Sequence, residues 1–161
     1  MSDDSPFPSP TSEHKAFESL AGTWNADCTF YMPGGAPMKM GAKETIELFG
    51  PFFTVSHFEG DMFGMPYQGK SSMGYEPKSG EYVATWIDTL TPQLFSFRGK
   101  YDDAGKVLTM HAQGTDFNSG ATASYRTTEE HLEDGSRKFE MFMTLEGMPE
   151  MQLFTHIYTR A

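Results

Sequence analysis

From residue 22 to the end of the chain, apolar and polar residues alternate in runs of about six to eleven, each bounded by turn-forming residues. The breaks are Gly34-Gly35, Gly50-Pro51, Glu59-Gly60-Asp61, Pro77-Lys78-Ser79-Gly80, Thr91-Pro92, Asp102-Asp103-Ala104-Gly105, Asn118-Ser119-Gly120, Glu133-Asp134-Gly135 and Gly147-Met148-Pro149. Each supplies a residue suited to positive φ or to turn initiation. They predict ten strands, over about 22–32, 41–49, 52–59, 65–76, 81–90, 93–101, 106–117, 121–132, 137–146 and 150–160. Short sequential connections favour an up-and-down antiparallel meander, and closing it into a barrel removes the exposed edges.

The segment SEHKAFESLAG, after Thr11, carries the one helical pattern. Thr11 or Ser12 can cap it, about three turns put Phe17 and Leu20 on one face, and Gly22 can end it. Its predicted place is one end of the barrel, with Phe17 and Leu20 plugging the opening. Residues 1–10, with Pro6, Pro8 and Pro10 among serines and aspartates, read as a flexible tail. Residues 11–161 then form a single all-β domain, as a chain of 161 residues allows.

Composition narrows the partners. A formal net charge of −10 without a basic patch argues against nucleic acid and anionic bilayers. No apolar run nears the ~20 residues of a membrane helix, and the start lacks the form of a secretion signal. A single cysteine, Cys28, allows no internal disulfide or cysteine-based zinc site and reads as a small buried side chain. The expected setting is cytoplasmic. Fourteen per cent aromatic residues and 12 methionines suit a core or a pocket.

Gly22-Thr23-Trp24 at the start of the first strand and Tyr158-Thr159-Arg160 at the end of the last resemble the signature of the calycin superfamily, the lipocalins and fatty-acid-binding proteins. The resemblance implies that Arg160 covers Trp24 and closes the ring by a cation–π contact. A closer likeness spans about residues 13–160. It rests on Glu13-His14-Lys15 with Leu20-Ala21-Gly22-Thr23-Trp24, Gly64-Met65-Pro66-Tyr67-Gln68-Gly69 leading to Met73-Gly74-Tyr75-Glu76, Tyr82-Val83-Ala84-Thr85-Trp86-Ile87-Asp88, and Gly99-Lys100-Tyr101-Asp102 with Gly105-Lys106. These resemble the bacterial "domain of unknown function 1579" family, which implies a calycin-like barrel; the family's activity is not known, so it offers no catalytic residue to carry over.

The segment GMPYQGKS, residues 64–71, matches G-x-x-x-x-G-K-[ST], the phosphate-binding loop. Such a loop must deliver phosphates to a helix N-terminus. Here Gly74 and Pro77 break any following helix, and Tyr67, Gly69, Ser71, Met73 and Tyr75 alternate as one face of a strand. The segment is therefore predicted to be a turn running into a strand, with Lys70 facing solvent. No G-x-S-x-G motif occurs, and the acids fall mostly at turns and outer faces, so neither a serine hydrolase nor a carboxylate pair is predicted.

His14, His57, His111, His131 and His156 show no local metal-ligand spacing, and no metal site is predicted. If Arg160 points inward, alternation turns Tyr158, His156 and Phe154 inward too. Interior candidates elsewhere are Trp24, Ala26, Cys28 and Phe30; Ile46 and Leu48; Phe53, Val55 and His57; and Phe139, Met141, Met143 and Leu145. Trp86 and Asp88 share a face that either lines the interior or lies outside.

The leading expectation is a small apolar or amphipathic ligand held by Trp24, Phe30, Phe53, His57, Trp86, Met141, Phe154, His156 and Tyr158, with no cofactor and no catalytic residue. Two alternatives stay open. One is a haem or enzymatic barrel using His156, as the terminal-strand histidine does in the nitrobindins, although their Gly-x-Trp-x-Gly-x-Gly start is missing. The other is a homodimeric scaffold using outer residues such as Ile157 and Phe142.

Overall fold

The computed structural model describes residues 5–161; residues 1–4 of the expected tail lie outside it. The ten strands are β1 (Gly22–Phe30), β2 (Met38–Phe49), β3 (Phe53–Met62), β4 (Met65–Glu76), β5 (Glu81–Asp88), β6 (Phe95–Tyr101), β7 (Val107–Thr115), β8 (Thr122–His131), β9 (Arg137–Leu145) and β10 (Met151–Arg160). All neighbours pair antiparallel in chain order, and β1 pairs with β10, so the sheet is a closed up-and-down barrel. Among the described residues no helix is long and apolar enough to cross a membrane.

The N-terminal helix is shorter than its pattern predicts. α1 (Ser12–Ala16) gives way to a 3-10 turn at Phe17–Leu20, and Gly22 is already the first residue of β1. Local hydrogen bonds account for the start: Thr11 N donates to His14 Nδ1 at 3.0 Å, and His14 Nε2 in turn pairs with the carbonyl of Tyr75 at 3.0 Å. The end is set by the barrel rather than by a left-handed cap. Gly22 has φ 125° and lies against the Arg160 guanidinium, whose Nη1 would stand 2.7 Å from any Cβ placed there. Phe17 is buried edge-on against Tyr82, and Leu20 lines the interior, so this segment closes one end of the barrel.

Because the strands run alternately up and down, the connections fall into two sets. The turns at 50–52, 77–80, 102–106 and 132–136 lie with the helix at the closed end. The connections at 31–37, 63–64, 89–94, 116–121 and 146–150 form the opposite end, the mouth.

Inside, two apolar clusters face each other. Phe95, Phe97, Leu108, Met110, Ala112, Ala123, Tyr125 and Met143 make one wall, from β6 to β9. Trp24, Ala26, Cys28, Ile46, Phe58 and Tyr158 make the other, from β1, β2, β3 and β10, and Trp86 packs against both. Burial, aided by neighbouring Asp27, pushes the Cys28 thiol up to about 12, so it stays protonated as one more small core side chain.

Strand β3 corrects one expectation. Ser56 pairs with Ile46 and Phe58 with Glu44, so Thr54, Ser56 and Phe58 turn inward while Phe53, Val55 and His57 face out. Phe53 remains 45% exposed; its ring occupies the outer face over Gly74, where a side chain on the glycine would displace it. A period-two pattern gives the two faces but not their assignment, which the register with β2 decides.

Candidate functional site

Between the two clusters lies a cavity of about 320 Å³. Its wall is dominated by aromatic and sulfur-bearing side chains, among them Phe58, Trp86, Phe97, Met110, Phe139 and Met141. Seven of the nine residues expected to meet a ligand sit together. Phe30, Trp86, Met141, Phe154, His156 and Tyr158 line the cavity, and Trp24 is buried beneath it. Phe53 and His57 are left on the outer face for the reason given above.

Trp86 resolves the open question on β5. Its indole lies over Gly69 of the GMPYQGKS segment, where a Cβ would collide with the ring. The second glycine of that motif therefore makes room for Trp86, and the segment as a whole forms β4 and its leading turn, with Lys70 exposed. Trp86 Nε1 donates to Asp88 Oδ2 at 3.1 Å, and Asp88 also accepts from the backbone N–H groups of Leu90 (2.9 Å) and Thr91 (2.8 Å). One carboxylate thus fixes both the tryptophan and a loop of the mouth.

His156 stands in an aromatic stack. Phe154 lies 4.5 Å away at 19° and Phe58 5.5 Å away at 13°, with Phe30 edge-on at 5.9 Å. Its Nδ1 pairs with the Tyr158 hydroxyl at 3.2 Å, and its Nε2 is buried without a partner. Burial lowers its pKa to about 4, so the ring is neutral near neutral pH. A bulge between Gln152 and Phe154 brings Leu153 and Phe154 both into the lining just before this histidine.

The floor holds residues absent from the sequence-based expectation. Arg137 is 3% exposed and donates through Nη2 to Glu44 (2.8 Å) and through Nη1 to Glu129 (2.7 Å). Its guanidinium lies 4.3 Å from the ring centres of both Trp24 and Tyr158, and Arg160 covers Trp24 at 3.9 Å. Trp24 Nε1 donates to the Leu20 carbonyl at 2.9 Å; Arg160 donates to the carbonyls of Ala21 and Ser19. The floor therefore ties β1, β2, β8, β9, β10 and the helical segment to one another.

Burial raises the pKa of Glu44, and Arg137 opposes that shift. The neighbouring acids keep the Arg137 guanidinium charged in spite of its burial. Glu44 and Glu129 are interior exceptions to the expectation that the acids fall mostly at turns and outer faces. The signal was in the alternation: Arg137 shares its face with Phe139 and Met141, and Glu44 with Ile46.

On the outside, Phe142 is covered by the Arg126 guanidinium at 4.1 Å, itself bonded to Glu150, and Ile157 is half-buried. Among the described residues no group of three or more His, Cys, Asp or Glu could hold a metal ion.

The family described as "Protein of unknown function (DUF1579)" matches residues 9–160, and the chain belongs to it. No curated protein matches the sequence. Among solved structures, Rv2717c from M. tuberculosis is similar with a TM-score of 0.69 at 13% identity, over 95% of this chain and 99% of that one. The S-type phycobiliprotein lyase CPES from Guillardia theta is similar with a TM-score of 0.61 at 10% identity, over 94% and 93% of the two chains. At such identities the likeness is one of fold.

Proposed function

We propose that this member of the DUF1579 family holds a small apolar molecule inside its barrel. The observation that carries the reading is the interior cavity of about 320 Å³, whose wall is mainly apolar, aromatic and methionine side chains above all, with polar and charged groups set among them. That volume falls at the lower end of the roughly 300–1,000 Å³ of small-molecule sites. The mixture of apolar wall and fixed polar groups is what orients a ligand while desolvating it. The likeness to a phycobiliprotein lyase supports the reading only through the shared barrel.

Haem carried on His156 fits less well. The Nε2 that would meet the iron is buried, so a group of haem size would reach it only after the side chains around it had moved. Native mass spectrometry of the protein as purified tests the proposal. The expected result is an added mass of a small organic molecule that disappears on denaturation. Bare protein that also takes up no octanol when the alcohol is supplied would contradict it.

A further inference from the structure

Three of the side chains lining the cavity are acids, Glu44, Asp88 and Glu129, and one is a base, Arg137. The base is not free. Each terminal nitrogen of its guanidinium is given to a different glutamate, and aromatic rings lie against it. Each glutamate spends only one oxygen on that contact, Oε1, and no donor among the described residues meets the other. The single unpartnered nitrogen of Arg137 is Nε, and it is buried. A ligand carboxylate placed there would be the third on one guanidinium.

From this arrangement we infer that the cavity selects an apolar amine, bound as its cation, over a carboxylate of the same size; the inference rests on the ligand-holding reading above. The acids outnumber the guanidinium even if Glu44 is protonated, and in an apolar cavity that imbalance is weakly screened. His156 does not redress it, because burial holds the ring neutral. The histidine supplies an independent sign of a ligand: it is 8% exposed, lines the same cavity, and its Nε2 lacks a partner. Its contact with Tyr158 fits either tautomer: Nε2 is an acceptor when Nδ1–H donates to the Tyr158 oxygen and a donor when the Tyr158 O–H donates to Nδ1, so the sign of the selection rests on the carboxylates. The free oxygens of Glu44 and Glu129 are acceptors in either case, and they welcome a donor on a ligand head.

Calorimetric titration of the intact protein near neutral pH with octylamine, octanol and octanoate, which differ in head charge but share a chain length, tests the inference. The amine should bind at least about tenfold more tightly than the carboxylate, with the alcohol between them. Glu129→Gln keeps an acceptor beside Arg137 but removes a charge, and should narrow that gap. Glu133→Gln, an exposed acid on the turn at 132–136, should leave it unchanged. Octanoate binding as tightly as octylamine would overturn the charge selection while leaving the cavity reading intact, as would a gap indifferent to Glu129→Gln. Binding of none of the three would overturn the cavity reading and this inference with it.

Discussion

The two ends of this barrel invert the usual distribution of polar and apolar side chains. At the closed end, charged groups are withdrawn from solvent: Arg137 and Glu44 are buried and Glu129 half-buried at the floor of the cavity, beside Trp24, which is 3% exposed. At the mouth, large apolar groups stand in solvent on several connections, including Phe63 at 49% and Leu94 at 64%, with Met32, Phe117 and Met148 around them. The closed end also exposes Leu48, Phe49 and Phe53, but these flank a single turn; at the mouth the apolar groups come from every connection, which scattered surface residues do not do. The difference separates two tasks: the closed end supplies a rigid, hydrogen-bonded base, and the mouth supplies an apolar threshold to the cavity.

The comparison is broken most severely at Arg137. Replacing it with Leu leaves the buried Glu44 and the half-buried Glu129 without their shared cation. A loss of about 3–5 kcal/mol is expected on urea unfolding, as when one partner of a buried ion pair is removed. A loss below 1 kcal/mol would mean that the floor does not carry the closed end.

His156, midway between the ends, gives the next effect. Its folded pKa of about 4 lies below its ordinary 6.5, so the unfolded chain takes up a proton in that window that the folded chain refuses. Stability should therefore fall as pH drops from 6.5 towards 4, by about 3 kcal/mol from this group over the whole window. Comparing the pH dependence of the wild type with that of His156→Phe isolates the contribution. Parallel curves would show that the ring is not desolvated in the folded protein.

The mouth should respond in the opposite sense and more weakly. Phe63 holds a φ of 55°, which a bulky residue rarely adopts, in the turn shared with Gly64. Phe63→Asn relieves that conformation and should raise stability by up to about 1 kcal/mol. A large destabilisation instead would make the mouth part of the supporting structure.

Much of this was legible in the chain. Turn chemistry at regular intervals gave ten strands, although Glu59-Gly60-Asp61 continues β3 and the chain turns at Phe63-Gly64 instead; the inward face of β10 followed from one assumption about Arg160, carried back in steps of two to Phe154. β3 was misread because its more apolar set, Phe53 and Val55, faces outward and covers Gly74, while the inner set contains Thr54 and Ser56. Alternation along one strand cannot detect that; the register across two strands does. The floor was missed for a different reason. Glu44 and Arg137 lie two residues beyond Ile46 and Phe139 on the same inward faces, where the apolar run ends. A charged residue in phase with a buried apolar face was the available signal. Its meaning became visible only when closure brought β2, β8 and β9 together.

The central claim is that the cavity is a place where a molecule resides. A titration of tryptophan emission with octanol, in the wild type and in an Ala84→Phe variant that fills the cavity from β5, addresses it directly. Saturable one-to-one binding in the wild type, lost in a variant that still unfolds cooperatively, is the predicted result. No saturable response, or the same response in both proteins, would contradict it.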